Sequence, residues 1–154
     1  MRTITFAGHR EVYQSDVSAR LNAVLDKISE TENELIFYVG GMGEFDSLSA
    51  SAVRRMRKQH PEKSIKLILV EPYMKQSINA DREFIHGLYD DIWVPIELAE
   101  VHYKKAITER NKLMVRESDV LVCYVHRDFG GAHTMMKYAR KLEKEIYNVA
   151  DNGV

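Results

Sequence analysis

The sequence is poor in residues that staple or interrupt a chain, with one cysteine and three prolines in 154 residues. A lone cysteine excludes an intramolecular disulfide and a cysteine-cluster zinc site. Cys123 stands inside the apolar run Val120-Leu121-Val122-Cys123-Tyr124-Val125, where a buried, inert thiol is expected. No stretch approaches the roughly 20 apolar residues that span a bilayer, so no membrane partner is expected. The opening Met1-Arg2-Thr3-Ile4-Thr5-Phe6 meets Gly8-His9-Arg10 before it can form a signal-peptide core. A reduced, cytoplasmic chain is the expectation. A charge surplus is also lacking: Lys+Arg 22 against Asp+Glu 23 gives a net charge of -1. Gripping duplex DNA through its phosphates normally takes a basic excess, so no extended nucleic-acid surface is expected. A small basic pocket for one anionic ligand fits the balance.

What is present is an ordinary globular composition, 45% hydrophobic and 29% charged, on a length that suits one domain, residues 1–154. A chain of this size buries roughly 68–70% of its unfolded surface, so it needs no metal staple. Short apolar runs alternate with amphipathic segments throughout. Strands are predicted at Thr3–Ala7, Leu35–Val39, Ile65–Val70, Asp91–Val94, Asp119–Val125 and Ile146–Val149. Helices are predicted at about Ser15–Ser29, Phe45–Gln59 and His133–Leu142, around Ala106–Met114, and in a short piece at Asn79–Tyr89. This alternation predicts an α/β, Rossmann-like fold: one doubly wound, mainly parallel sheet with helices on both faces. The unbroken run at Asp119–Val125 belongs centrally beside the first strand, and the short Trp93 strand at an edge, giving the order 4-3-2-1-5-6.

Six of the eight glycines fall in three clusters: Gly8; Gly40, Gly41 and Gly43; Gly130 and Gly131. Each cluster follows a predicted strand and precedes a helix. In an open α/β sheet such loops share the carboxyl edge, where ligands bind at the switch in strand order. Glycine admits a ligand close to backbone, and a helix start offers free N–H groups, which together favour phosphate. Gly40-Gly41-Met42-Gly43-Glu44 matches neither the dinucleotide G-x-G-x-x-G pattern nor a P-loop.

The ordered set Ala7-Gly8-His9-Arg10, Gly40-Gly41-Met42-Gly43-Glu44-Phe45-Asp46, Glu109 to Asp119 and Phe129-Gly130-Gly131-Ala132-His133-Thr134 resembles the YpsA-like branch of the SLOG superfamily. That Rossmann-type group also contains DprA and the LOG cytokinin-activating enzymes. The resemblance spans nearly the whole chain and implies a single SLOG-type domain that senses or processes nucleotide-derived ligands. In LOG enzymes an arginine before the central strand and a P-G-G-x-G-T-x-x-E loop carry phosphoribosyl binding and N-glycosidic hydrolysis. Arg110 matches the arginine, and Gly130, Gly131 and Thr134 match the loop. Phe129 stands in place of its proline, His133 in place of a glycine, and Lys137 in place of the catalytic glutamate.

The candidate ligand-binding residues are therefore Gly8, His9, Arg10, Gly40, Gly41, Met42, Gly43, Glu44, Asp46, Arg110, Asn111, Gly130, Gly131 and Thr134. Arg110 shares an inward-turned helix face with Leu113 and Met114, where a guanidinium needs a carboxylate or phosphate partner. Glu44 and Asp46 either offset the dipole of their helix or hold ribose hydroxyls. They are also the only candidate catalytic groups if the chain cleaves or transfers at an N-glycosidic bond. His126, Asp128 and His133 have irregular spacing, and no metal site is expected of them.

The leading expectation is a binding module for a nucleotide or ADP-ribose-like ligand, with no resident cofactor. An N-glycosidic hydrolase or transferase acting on a nucleoside monophosphate is the alternative, and an adaptor with a vestigial crevice the third reading. Met135, Met136, Tyr138, Ala139 and Leu142 give the last helix more apolar surface than one core stripe needs, which suggests a homodimer.

Overall fold

A computed structural model of the chain describes residues 1–73 and 87–150. Six strands form one parallel sheet: β1 (Arg2–Gly8), β2 (Glu34–Val39), β3 (Ser64–Val70), β4 (Asp91–Trp93), β5 (Val120–Tyr124) and β6 (Glu145–Asn148), in the order β4-β3-β2-β1-β5-β6. The predicted order holds strand for strand. Among the described residues the α-helices are α1 (Val17–Ser29), α2 (Glu44–Gln59), α3 (Tyr103–Arg116) and α4 (Gly131–Lys141), with a 3-10 turn at Ile96–Leu98. The helix expected at Asn79–Tyr89 lies mostly outside the described residues. No helix among them is long and apolar enough to cross a membrane.

The sheet separates two cores by the period-2 alternation of its strands. Ile4, Phe6, Leu35, Phe37, Val39, Val122 and Tyr124 join Leu21, Leu25, Phe45 and Val53 in one core. Phe6 stacks on Phe37 at 5.9 Å and meets Phe45 edge-on at 6.5 Å. Ala7, Val70, Leu121, Cys123 and Val125 face Met114, Val115, Met135, Met136 and Ala139 in the other. Cys123 is fully buried, and burial pushes its thiol up to about 12, so it is inert as expected.

Side-chain bonds set the strand register beside the switch point. Asp119 accepts from the Thr3 N–H at 2.9 Å while its own N–H reaches the Thr3 carbonyl at 2.8 Å. Asn148 pairs both its amide groups with the Val125 backbone, at 2.9 and 3.1 Å. Order reverses between β1 and β5, so the β1–α1, β2–α2 and β5–α4 connections meet at one edge. Helix α4 begins at Gly131 rather than His133, because Gly130, at φ 97, serves as its N-cap.

Candidate functional site

A crevice of about 400 Å³ opens at that edge. Of the predicted ligand residues, Gly8, His9, Arg10, Gly40, Met42, Asp46, Arg110, Asn111 and Gly131 line it. Gly41, Gly43, Glu44, Gly130 and Thr134 do not. Gly43 and Gly130 instead turn the chain into α2 and α4 at φ 88 and 97, a left-handed region that suits glycine. Thr134 turns its hydroxyl back to the Gly130 carbonyl at 3.0 Å, closing the first turn of α4.

The β2–β3 side of the crevice is a closed network built on Arg110. This side chain is 2% exposed. Its Nη1 donates to the Gly40 and Val70 carbonyls at 3.1 and 3.0 Å, and its Nε to Asn111 Oδ1 at 2.9 Å. The guanidinium thus fastens α3 to the carboxyl ends of β2 and β3. Its pressure on Gly40 explains that glycine: a Cβ there would stand 3.1 Å from Arg110 Cζ. Two of its bonds go to backbone carbonyls and one to a side-chain amide, while Nη2 meets the Met42 sulfur at 3.7 Å. Asp46, in the first turn of α2, accepts from the Met42 N–H at 2.9 Å. Burial raises its carboxyl to about 6, against the opposing pull of the Met42 N–H and the Arg110 charge. Glu44 accepts from the Val12 N–H at 2.5 Å while its own N–H reaches the Arg10 carbonyl at 2.8 Å, which ties the β1–α1 loop down.

Gly8 has a packing reason as well. A Cβ there would fall 2.3 Å from the Phe45 ring, so glycine lets α2 settle directly on β1.

The β1–β5 side is built differently. His9 is 5% exposed and its Nε2 accepts from the His126 N–H at 3.3 Å, which puts the ring proton on Nδ1. Burial first, then the charges of Arg127, His126 and His133, lowers His9 to about 4, so it is neutral near pH 7. It therefore brings no cation to the crevice. Its ring packs edge-on against Tyr124 at 5.8 Å and His126 at 4.6 Å, with Tyr13 6.3 Å from His126. Three polar atoms here are buried without a hydrogen-bond partner: Tyr124 Oη, His126 Nε2 and Arg127 Nε. Leaving such an atom unpaired costs about 1–3 kcal/mol. Arg127 makes no ion pair among the described residues; its guanidinium lies 4.6 Å over the Phe129 ring. A Cβ at Gly130 would be 3.6 Å from Arg127 Nη2, so this cation sits beside the start of α4.

Arg127 and Tyr13 line the crevice and were not singled out by sequence reasoning. The usable signal for Arg127 was its place between the central strand and the Gly130-Gly131 pair. His126 and His133 join no metal site: among the described residues no group of three or more His, Cys, Asp or Glu is arranged to hold one.

No protein-family model and no curated protein matches the sequence. Solved structures do. DNA processing protein A from Helicobacter pylori, whose structure is described by its single-stranded DNA binding mode, superposes with a TM-score of 0.60 at 14% identity. The match covers 94% of this chain and 63% of that one. The X-ray structure of DNA processing protein A (DprA) from Streptococcus pneumoniae gives a TM-score of 0.62 at 13% identity, over 94% of this chain and 49% of that one. The chain thus spans about half to two thirds of the length of these structures. The first of them corrects the expectation of no extended nucleic-acid surface, which rested on net charge. A single strand is held by local groove cations and by stacking on aromatic rings, and neither registers in a whole-chain charge. What the likeness shows is the architecture: the chain has the Rossmann-like fold found in DNA processing protein A.

Proposed function

We propose that the crevice binds a nucleotide unit, and that the chain acts as a sensor or binding module of the YpsA-like SLOG kind. One observation carries this reading. Two helices opened by left-handed glycines, α2 and α4, begin beside a crevice of about 400 Å³ at the switch in strand order. That volume lies within the usual range for small-ligand sites, and the position is where this class of sheet binds ligands. The nucleotide unit is either free or part of a single strand, the second option supported by the single-stranded DNA binding of the Helicobacter pylori neighbour.

The test is thermal unfolding of the protein with nucleoside monophosphates, ADP-ribose and a short oligothymidylate. A ligand at 100 times its Kd stabilises the fold by about 2.7 kcal/mol, a shift of several degrees. No stabilisation by any of these at about a millimolar, roughly 100 times a 10 μM Kd, removes the reading.

A second reading, N-glycosidic hydrolysis or transfer, is favoured by Asp46. Its carboxyl lines the crevice and titrates near 6, a suitable value for a general acid or base. Glu44, engaged by the Val12 N–H, is the weaker candidate. Release of free base from a nucleoside monophosphate, lost in Asp46→Asn, supports this reading; no release leaves the binding module.

A further inference from the structure

The β1–β5 side of the crevice holds little net charge and much exposed ring surface. Arg10 and Arg127 line it together with Glu11, and Asp128 follows Arg127 in the loop. His9, neutral near pH 7, adds no cation. Charges of both signs do not select an anion on this side. The rings are less evenly spread. Tyr13, on the β1–α1 loop, is 72% exposed, and Phe129, on the β5–α4 loop, is 62% exposed. Single exposed apolar residues are ordinary; two open rings on the two loops beside one crevice are a paired feature.

Each ring is held by a partner that leaves it usable. The Tyr13 hydroxyl donates to the Glu11 carboxylate, which anchors the side chain by its tip. Its ring lines the crevice 6.3 Å from His126, the residue before Arg127. The Arg127 charge also acts on the Tyr13 phenol, so the two side chains are electrostatic neighbours. Phe129 carries the Arg127 guanidinium 4.6 Å from its ring centroid. That contact holds the cation in place, and guanidinium planes stack on bases as aromatic rings do. Among the described residues that line the opposite side, Gly40, Met42, Asp46, Arg110 and Asn111, none is aromatic.

We propose that Tyr13 and the Arg127–Phe129 pair are the two plates of a nucleobase clamp at the mouth of the crevice. The inference rests on the nucleotide reading above and says which part of the nucleotide the β1–β5 side takes. A base has two π faces and no charge. That suits a ring on one loop, a ring-backed guanidinium on the other and little net charge between them. Purines, with the larger face, gain more than pyrimidines. The clamp reads a flat face rather than hydrogen-bonding edges, so it accepts the base of a free nucleotide or of a single strand.

The experiment is equilibrium titration at constant ionic strength with adenosine 5′-monophosphate, cytidine 5′-monophosphate, ribose 5-phosphate and a short oligodeoxyadenylate. The proteins are the wild type, Tyr13→Ala, Tyr13→Phe, Phe129→Ala and Phe129→Leu, each first shown to unfold cooperatively. Tyr13→Ala weakens adenosine 5′-monophosphate about tenfold or more and leaves ribose 5-phosphate within about twofold, the selective loss expected of a stacked base. Tyr13→Phe keeps the wild-type affinity within about threefold, since the ring rather than the hydroxyl makes the contact. Phe129→Leu, apolar but not planar, weakens adenosine 5′-monophosphate as much as Phe129→Ala does. On binding to the wild type the adenine H2 and H8 proton resonances move upfield, and Tyr13→Ala removes most of that shift. Tighter binding of the oligomer than of adenosine 5′-monophosphate assigns a strand as the source; the reverse assigns the free nucleotide. Either supports the clamp where Tyr13→Ala weakens it. Equal weakening of adenosine 5′-monophosphate and ribose 5-phosphate by Tyr13→Ala overturns the clamp. Wild-type affinity for adenosine 5′-monophosphate in both Tyr13→Ala and Phe129→Ala also overturns it and leaves the nucleotide reading standing. Failure of the wild type to bind any of these compounds removes that reading and the clamp with it.

Discussion

Helices α2 and α4 both begin at the crevice from a left-handed glycine, and they meet opposite conditions. The start of α2 is closed from within: Glu44 and Asp46 bond the loops on either side, and Arg110 braces the strand ends behind them. The start of α4 carries no side-chain cap, with Arg127 beside it, its Nε and the His126 Nε2 unpaired. Similar backbone geometry thus serves two ends. One side of the crevice is closed by the protein's own bonds, and the other keeps buried polar atoms without a partner among the described residues. Stability should concentrate on the first side and affinity on the second.

The largest effect that would break this contrast belongs to Arg110. Replacing it with methionine leaves the Gly40 and Val70 carbonyls unpaired and Asp46 without its cation. A loss of about 3–5 kcal/mol is expected, read as a lower midpoint in urea unfolding. Arg110→Lys restores charge but not the bridge between two carbonyls, and should cost less. A change below about 1 kcal/mol for Arg110→Met, within the range of an ordinary surface substitution, would mean that its bonds are not structural.

The next effect is in pH dependence, because each side holds one displaced titration. His9 is lowered from 6.5 to about 4, so the unfolded chain takes up its proton first. Its contribution to stability is complete above 6.5 and is lost as pH falls toward about 4. Asp46 is raised from 3.8 to about 6, so the folded chain keeps a proton that the unfolded chain has released. Its contribution falls as pH rises between those values. The two slopes oppose each other over much of the same window. Asp46→Asn should therefore expose the acid loss due to His9, and His9→Gln the opposite slope, each about 1–3 kcal/mol across the window. Unfolding free energies at half-unit pH steps read both; identical slopes in the two variants would contradict the assignment.

How much of this the sequence carried differs between the same two sides. Strand order followed from which runs are apolar throughout, since burial on both faces removes alternation, and Cys123 followed from the same run. The glycine clusters marked the edge where the crevice lies. The inward turn of Arg110 was legible from its neighbours Leu113 and Met114, but its acceptors were not. They are strand-end carbonyls 70 and 40 residues away, and backbone acceptors carry no sequence signature. Gly8 read as a ligand approach, although the space it frees is filled by Phe45 from another element. Arg127 and His126 stand in a loop without periodicity, so only the pairing of β1 with β5 brings them to His9. The correction on nucleic acid has a similar origin: a net charge averages over a surface on which binding is local.

The smallest expected effect is on stability at Arg127. Removing a cation from a helix N-terminus relieves repulsion, so Arg127→Ala should change the unfolding free energy by less than about 0.5 kcal/mol or stabilise slightly. The same variant should let His9 titrate above about 4, because one of the charges that lower it is gone. Proton NMR of the His9 ring follows that shift directly. An unmoved titration would separate Arg127 from this side of the crevice.

Amide chemical-shift mapping during titration with adenosine 5′-monophosphate tests the division of the crevice most directly. The account predicts the largest changes at residues 8–13 and 126–133. Smaller ones are expected at Gly40 and Met42, and none at Ser18, Asn22 and Arg55 in the groove between α1 and α2. Changes centred on Gly40, Met42 and Asn111, with residues 126–133 silent, would contradict it.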